Sequence, residues 1–401
     1  MKKNWEEKKL AEVCLIKPSK EEARKKLSSS DLVSFVPMEN MGIGLKYFVA
    51  NQVRPLEEVA GNYTYFAEGD VLLAKITPCF ENGKLGIARN LSNGVGFGSS
   101  EYIVFRTNEY LRNEFLYYFL SREQFRQEGA QRMSGAVGHK RVAKDFIENY
   151  PIPILPLPEQ QRIVAILDEA FAAIVMAKKN AEKNLQNASA IFESHLQFVF
   201  NQRGEGWVEK RLRDLSLIGY GYTESASGQQ VGPKFLRITD IQDNRVDWNS
   251  VPYCPIKSSD LPKYKLADGD IVFARTGATT GKSYLVTDPP EAVFASYLIR
   301  VQLNTTELLP QFINLFFQTQ SYWGSIRLGV SGSAQGGFNA TKLGELAITF
   351  PNLKKEQQSI VTKFDGLAAE TQRLESIYQQ KLAALDELKK SLLQKAFNGE
   401  L

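Results

Sequence analysis

The sequence is written twice. Trp5-Glu6-Glu7-Lys8-Lys9-Leu10 returns as Trp207-Val208-Glu209-Lys210-Arg211-Leu212, and Glu68-Gly69-Asp70-Val71-Leu72-Leu73-Ala74-Lys75 returns as Asp268-Gly269-Asp270-Ile271-Val272-Phe273-Ala274-Arg275. Ser134-Gly135-Ala136 matches Ser331-Gly332-Ser333, Glu159-Gln160-Gln161-Arg162-Ile163-Val164 matches Glu356-Gln357-Gln358-Ser359-Ile360-Val361, and Phe200-Asn201 matches Phe397-Asn398. One such match arises by chance. A series in the same order over the whole chain does not. A period of roughly 200 residues is too long for a solenoid repeat and means a duplicated pair of domains.

Each half reads as two parts. The first, residues 1–155 and 204–352, mixes short β-type runs with Gly, Pro and Asn turns, as in Val71–Ile76, Tyr102–Arg106, Asp270–Ala274 and Tyr297–Val301. Gly69-Asp70 and Gly269-Asp270 stand as turn residues entering a strand. Phe115–Leu120 and Phe312–Phe317 read as short buried helices or strands, which periodicity does not separate. Trp5 and Trp207 occupy equivalent positions and are expected to anchor the first strand of each domain in its core.

The second part, residues 156–203 and 353–401, has the spacing of a long helix. Apolar or small residues fall at Ile163, Leu167, Ala170, Ile174, Ala177, Ala181, Leu185, Ala188, Ile191, His195 and Val199. In the second copy they fall at Ile360, Phe364, Leu367, Thr371, Leu374, Tyr378, Leu382, Leu385, Leu388, Leu392 and Ala396. Steps of three and four sustained this long are coiled-coil spacing. Pro158 suits a first helical turn, and Gly204 and Gly399 suit helix stops. A helix of about 40 residues is about 60 Å long and does not bury such a seam by itself. Each could pack on its own globular domain. The long, narrow seam favours the two packing on each other, antiparallel, because the intervening domain must return the chain to the start of the second helix. The expected fold is α+β: two similar α/β domains joined by two long helices in an antiparallel coiled coil, a pseudo-two-fold dumbbell.

Composition narrows the function classes. The chain is 43% apolar with 23% charged residues, an ordinary globular mixture. No apolar run approaches the roughly 18 residues of a membrane span, and the charged start Met1-Lys2-Lys3-Asn4 lacks the apolar stretch of a signal peptide. A cytoplasmic protein without membrane contact is expected. Cys14, Cys79 and Cys254 form no CxxC pair, and His139 and His195 are the only histidines, so neither a disulfide framework nor a His/Cys metal site is expected. A carboxylate-only metal site stays open. The net charge of +4 is compatible with nucleic acid but does not demand it. Any DNA-binding surface in the second half must be a local patch, because residues 205–350 are close to neutral.

Two heads on a rod suit a protein that reads two separated half-sites on a duplex. The heads share a frame and differ in their loops. After the shared strand one reads Thr77-Pro78-Cys79-Phe80-Glu81-Asn82-Gly83-Lys84, the other Thr276-Gly277-Ala278-Thr279-Thr280-Gly281-Lys282-Ser283. Different loops on one scaffold imply different half-sites, hence an asymmetric, interrupted target.

Pro156-Leu157-Pro158-Glu159-Gln160-Gln161-Arg162-Ile163-Val164 resembles the entry to the conserved helix of type I restriction–modification specificity subunits. Ser391-Leu392-Leu393-Gln394-Lys395-Ala396-Phe397-Asn398-Gly399-Glu400-Leu401 resembles their ending. The segment from Gly269 to Lys282 resembles one common in their target recognition domains, as does Ser331-Gly332-Ser333-Ala334-Gln335. The loop from Ser134 to Arg141 departs from that pattern by lacking the Gln. The resemblance covers the whole chain. It implies two target recognition domains, each docked in the major groove of one half-site of double-stranded DNA. It also implies helices that set the spacer and dock two methyltransferase (M) subunits, with restriction/translocase (R) subunits recruited to the whole. S-adenosylmethionine, ATP and Mg then belong to those partners, and this chain binds no cofactor and catalyses nothing.

The candidate DNA contacts are Lys75, Asn82, Lys84, His139, Lys140 and Arg141 in the first copy, and Arg275, Thr276, Thr279, Lys282, Ser333 and Gln335 in the second. Arg and Gln suit bidentate contacts to guanine and adenine, and backbone amides with Lys282 suit a phosphate. A solvated loop is the plainer reading of His139 to Arg141, and a structural turn the plainer reading of Gly277 to Lys282. Motifs that imitate enzyme chemistry fall short. Gly277-Ala278-Thr279-Thr280-Gly281-Lys282-Ser283 has three residues between its glycines where a phosphate-binding loop needs four. Asp288-Pro289-Pro290-Glu291 has Glu291 where an amino-methyltransferase has an aromatic residue, and reads as a surface turn. Gly94, Gly96 and Gly98 precede a β-type run rather than a helix, against a dinucleotide fold. Two other classes remain: a coiled-coil protein-interaction scaffold without DNA readout, and a stand-alone methyltransferase or nucleotide hydrolase.

Overall fold

The computed structural model of the protein describes residues 5–136, 138–242, 244–331 and 338–401. The fold is α+β, and the chain forms two compact units. One holds Met1–Glu182 with Gln380–Leu401, the other Lys183–Gln379.

The same antiparallel four-stranded sheet is the centre of each unit. In the first unit its order is Cys14–Ile16, Tyr102–Thr107, Val71–Ala74, Leu85–Ile87; in the second it is Ser216–Tyr220, Leu298–Leu303, Ile271–Ala274, Ser283–Leu285. Even the register repeats: Val71 pairs with Phe105, and Ile271 with Val301. The runs Val-Leu-Leu-Ala and Ile-Val-Phe-Ala lack polar alternation because both faces of this strand are covered, and all eight side chains are buried. Gly69 and Gly269 enter it at φ +84° and +86°, a left-handed turn that suits glycine. A parallel pair flanks each sheet, Leu32–Val36 with Val95–Gly98 and Lys234–Leu236 with Ala292–Phe294. In the first unit, Gln52–Pro55 and Thr64–Ala67 extend it to four strands.

Phe115–Leu120 and Phe312–Phe317 are resolved as helical, in Asn113–Leu120 and Pro310–Phe316 with Phe317 capping the latter. The aspartates of the two turns have a second role that the sequence reading missed. Asp70 is buried, caps the Ala67 amide at 2.8 Å and takes two 2.8 Å bonds from Arg106. Asp270 caps Ala267 in the same way, but the position matching Arg106 is Gln302, and Arg300 comes only to 3.6 Å. Burial pushes the Asp270 carboxyl above its ordinary value.

The long helices span Leu157–Gln202 and Lys354–Asn398. They pack on each other and on the globular parts, so the two expected alternatives are both realised. In the first unit Ile163, Val164 and Leu167 at the start of one helix share a core with Leu393, Ala396 and Phe397 at the end of the other. Arg162 bonds the Leu401 carbonyl, and Lys178 pairs with Asp386. In the second unit Ser189 bonds Glu375 at 2.6 Å and Phe192 meets Phe364 at 5.4 Å. One residue number rises as the other falls, so the helices are antiparallel in each unit. Phe397 lies among Phe115 and Phe119 at 5.0 and 5.3 Å, while Phe200 lies against Phe312 at 5.3 Å. Each of these buried rings contributes about 1.5–3 kcal/mol.

The seam departs from the heptad reading near the end of each helix. Ile191, His195 and Leu388 are exposed, whereas Ala396 is fully buried as expected; Leu196 and Phe200 in one helix and Leu393 and Phe397 in the other are buried beside the expected positions. At these ends the helices pack into the globular cores, which Leu196 and Phe200 enter from one helix and Leu393 and Phe397 from the other. His195 stays at the rim, its ring 5.3 Å from Phe364. Trp5 and Trp207 are half-buried at the edge of their cores rather than inside them, with Trp207 Nε1 donating to Glu356 at 3.2 Å. A tryptophan keeps its N–H within reach of a polar partner.

Candidate nucleic-acid interface

The strand Val71–Ala74 ends at Lys75, and there the first unit gathers its cations. Lys75 N donates to the Glu101 carbonyl at 2.9 Å, and Val142 N to the Lys75 carbonyl at 2.9 Å. This ties the strand to a small hairpin, Met133–Ser134 with Arg141–Val142, whose tip carries Gly135 to Lys140. Thr77 N donates to the Lys140 carbonyl at 2.9 Å, closing the same corner. Lys75, His139, Lys140 and Arg141 therefore come together, with the last three exposed. Val137 lies outside the described residues.

One acid sits among these cations. Arg141 donates to Glu101 through Nε at 2.9 Å and Nη2 at 2.7 Å, while Lys75 Nζ stands 3.9 Å from the carboxylate and donates to the Ser100 carbonyl at 3.0 Å. The Arg141 hydrogen bonds hold the Glu101 carboxyl below its ordinary value, so it is charged at neutral pH. Asn82 and Lys84 do not join this corner. Lys84 is half-buried and donates to the Met38 carbonyl at 2.8 Å. Asn82 lines a separate cavity of about 900 Å³ with Lys46, Arg126, Asp168 and Lys389.

In the second unit, Arg275, Thr276, Thr279 and Lys282 lie in one hairpin turn between Ile271–Ala274 and Ser283–Leu285. The turn is closed by Gly281 N to the Ala274 carbonyl at 2.9 Å, and Ala274 N to the Lys282 carbonyl at 2.9 Å. Gly281 has φ +98°, and a Cβ there would stand 2.7 Å from Trp323. The turn joins two antiparallel strands, whereas a phosphate-binding loop leads from a strand into a helix. Asp288 lies at an exposed turn, its N–H bonded to Asp268 at 3.0 Å. Ser333 and Gln335 lie outside the described residues.

The two corners are equivalent in backbone and different in chemistry. Arg275 N donates to the Tyr297 carbonyl at 3.3 Å, the bond that Lys75 makes to Glu101. Tyr297 thus stands where Glu101 does, and is exposed. The Arg275 guanidinium lies over the Tyr220 ring at 4.9 Å, and its Nε is buried without a hydrogen-bond partner. Sequence reading overlooked Glu101, Tyr220 and Tyr297. Aligning Ser100-Glu101-Tyr102-Ile103 on Ser296-Tyr297-Leu298-Ile299 would have exposed the exchange.

The matched motif at the start of each long helix is an internal clip. Gln160 is buried; its Oε1 accepts from Arg112 N at 2.9 Å, and its Nε2 donates to the carbonyls of Tyr110 and Leu155, both at 2.8 Å. Gln357 does the same with Leu309 N at 2.9 Å and the carbonyls of Glu307 at 2.7 Å and Pro351 at 2.8 Å. Each glutamine joins a long helix to the loop before a core helix and to the strand before itself. No helix among the described residues is long and apolar enough to cross a membrane.

Known proteins share this design. The family described as type I restriction modification DNA specificity domain matches twice, over residues 2–184 and 204–383. The EcoAI specificity subunit of Escherichia coli, from a type I restriction enzyme, is 24% identical over an alignment covering 86% of this chain and 75% of that one. The EcoEI specificity subunit, also of E. coli, is 37% identical over 56% of this chain and 37% of its own. Among solved structures, a chain from work on complex assembly and conformational transition of the type I R-M system aligns with a TM-score of 0.78 at 19% identity, over 99% of this chain and 98% of that one. The HsdS subunit from Thermoanaerobacter tengcongensis aligns with a TM-score of 0.69 at 18% identity, over 100% and 98%. These structural likenesses speak to the fold. With the family matching once in each half of a duplicated chain, this protein belongs to the type I restriction–modification DNA specificity family.

Proposed function

We propose that this chain is the non-catalytic, DNA-reading subunit of a type I restriction–modification enzyme. Each unit reads one half of an asymmetric bipartite target, and the antiparallel helices set the spacer between the halves. The helices dock two methyltransferase subunits, and restriction/translocase subunits join the assembly. S-adenosylmethionine, ATP and Mg act in those partners.

The observation that carries this reading is the exchange of chemistry on a repeated corner. The backbone bonds at Lys75 and Arg275 coincide, while the side chains around them differ: Arg141 with Glu101 in one unit, Arg275 with Tyr220 and Tyr297 in the other. A scaffold kept in duplicate with different loop chemistry is what reading two different half-sites requires. In this reading Lys75, Lys140, His139 and Lys282 suit phosphates, and Arg141, Arg275, Thr276 and Thr279 suit base edges. Ser333 and Gln335 are carried forward from the sequence alone. Asn82 and Lys84 are weaker candidates, since Lys84 is turned to the Met38 carbonyl.

The test is to co-express the chain with the methyltransferase subunit from its own locus and map methylated bases across a test genome. A bipartite, interrupted motif that disappears when this chain is omitted supports the proposal. A well-formed complex without sequence-specific methylation refutes it and leaves a coiled-coil protein-interaction scaffold.

A further inference from the structure

Arg141 is held in a way that leaves one edge of its guanidinium open. A guanidinium carries five N–H donors in a planar fork. Nε and one N–H of Nη2 are taken by Glu101, and one N–H of Nη1 by the His139 carbonyl at 3.2 Å. Two N–H groups remain, one on each terminal nitrogen, and the planar fork sets Nη1–H and Nη2–H parallel along the edge away from Glu101. They have no acceptor among the described residues, and the side chain is 48% exposed.

Two parallel N–H groups match the N7 and O6 acceptors on the major-groove edge of guanine. They also match a phosphate, but a carboxylate bonded to the same guanidinium repels a phosphate and not a neutral base. Lys140, exposed and in no ion pair among the described residues, is the better phosphate ligand on this hairpin. A free arginine loses much rotamer entropy on binding, and one already clamped loses less. The clamp rests on backbone, since Lys75 N holds the Glu101 carbonyl and the bridge from Ile76 holds Arg141. In the second unit Tyr297 stands in the place of Glu101, so that position carries no carboxylate.

We propose that Glu101 is a positioning residue that holds Arg141 ready to read a guanine in the half-site bound by the first unit. This rests on the DNA-reading function proposed above and names one base contact within it. In binding assays, the full chain in complex with its methyltransferase subunit is given the mapped target duplex, with each guanine replaced in turn by 7-deazaguanine, which lacks the N7 acceptor.

At one position in one half-site, the replacement is expected to weaken binding by on the order of 10-fold. Arg141→Ala should lose at least as much on the natural duplex and nothing further at that position, so the two changes are not additive. Glu101→Gln should lose part of the discrimination between guanine and 7-deazaguanine, and Glu101→Asp should recover part of it. A merely structural role for Glu101 predicts equal weakening on both duplexes. The proposal is overturned if neither half-site contains a guanine, or if Arg141→Ala keeps the full 7-deazaguanine penalty. Equal weakening of target and scrambled duplexes by Arg141→Ala marks a phosphate contact and also overturns it. Failure of the broader reading looks different, because the unaltered complex then shows no sequence preference.

Discussion

Replacing Gln160 by Ala removes a side chain that satisfies three backbone groups at once. The Leu155 carbonyl is bonded in a buried setting, and the Arg112 amide and the Tyr110 carbonyl in partly buried ones. A buried polar group left without a partner costs about 1–3 kcal/mol, and a lost bond that water replaces in part costs about 1 kcal/mol. One group of the first kind and two of the second give a loss of about 3–5 kcal/mol. In a unit of this size each kcal/mol moves Tm by about 2–4 °C, so melting should fall by roughly 10 °C. Gln161→Ala, at the exposed neighbouring position, serves as control and should stay within about 0.5 kcal/mol. Residue-resolved hydrogen exchange gives a sharper readout. The Arg112 amide should lose protection in Gln160→Ala and the Leu309 amide in Gln357→Ala, each in its own unit. Gln160→Glu should fare no better at neutral pH, because a carboxylate would face two carbonyl oxygens. That carboxyl's folded-state pKa would be raised, so the deficit should shrink as pH falls towards about 4. If Gln160→Ala melts with Gln161→Ala and keeps the Arg112 amide protected, the clip argument is wrong.

Four further outcomes follow from the same geometry. Asp70→Asn breaks a buried pair with Arg106 and should cost about 3 kcal/mol in chemical denaturation. Asp270→Asn should gain on the unaltered protein as pH rises from about 3 to 7. Asp270 has its folded-state pKa raised, so it subtracts stability as pH climbs past the unfolded value; melts with the opposite trend would refute that cause. Gly281→Ala places a methyl 2.7 Å from Trp323 and 2.9 Å from Ile326 at φ +98°, and should destabilise the second unit by about 1–3 kcal/mol, which calorimetry checks. Arg275→Ala should weaken target binding by about 1–3 kcal/mol and relax one base position of one half-site; unchanged affinity and an unchanged methylation motif would remove Arg275 from the readout.

The repeat, the α+β character, the two long helices and the family resemblance were legible in the sequence, because each is written in local pattern. Strands buried on both faces are continuous apolar runs, and a helix that packs on a helix repeats every three or four residues. The matched motifs located the corners at Lys75 and Arg275 as well. Tertiary structure decided what those motifs do. Gln160 was visible as a repeated letter, yet its role depends on Arg112, Tyr110 and Leu155, which converge on it only in the folded unit. Glu101 and Arg141 lie 40 positions apart and carry no joint signature. Lys84 looked like a free cation and folds onto the Met38 carbonyl. The seam showed the limit of periodicity itself. Steps of three and four put Ile191, His195 and Leu388 inside, and packing against the globular cores turned Leu196, Phe200, Leu393 and Phe397 in instead. Local sequence sets which elements form, because hydrophobic period and turn chemistry act over a few residues. Which side chains meet is decided by contacts between distant segments, and those exist only once the core has closed.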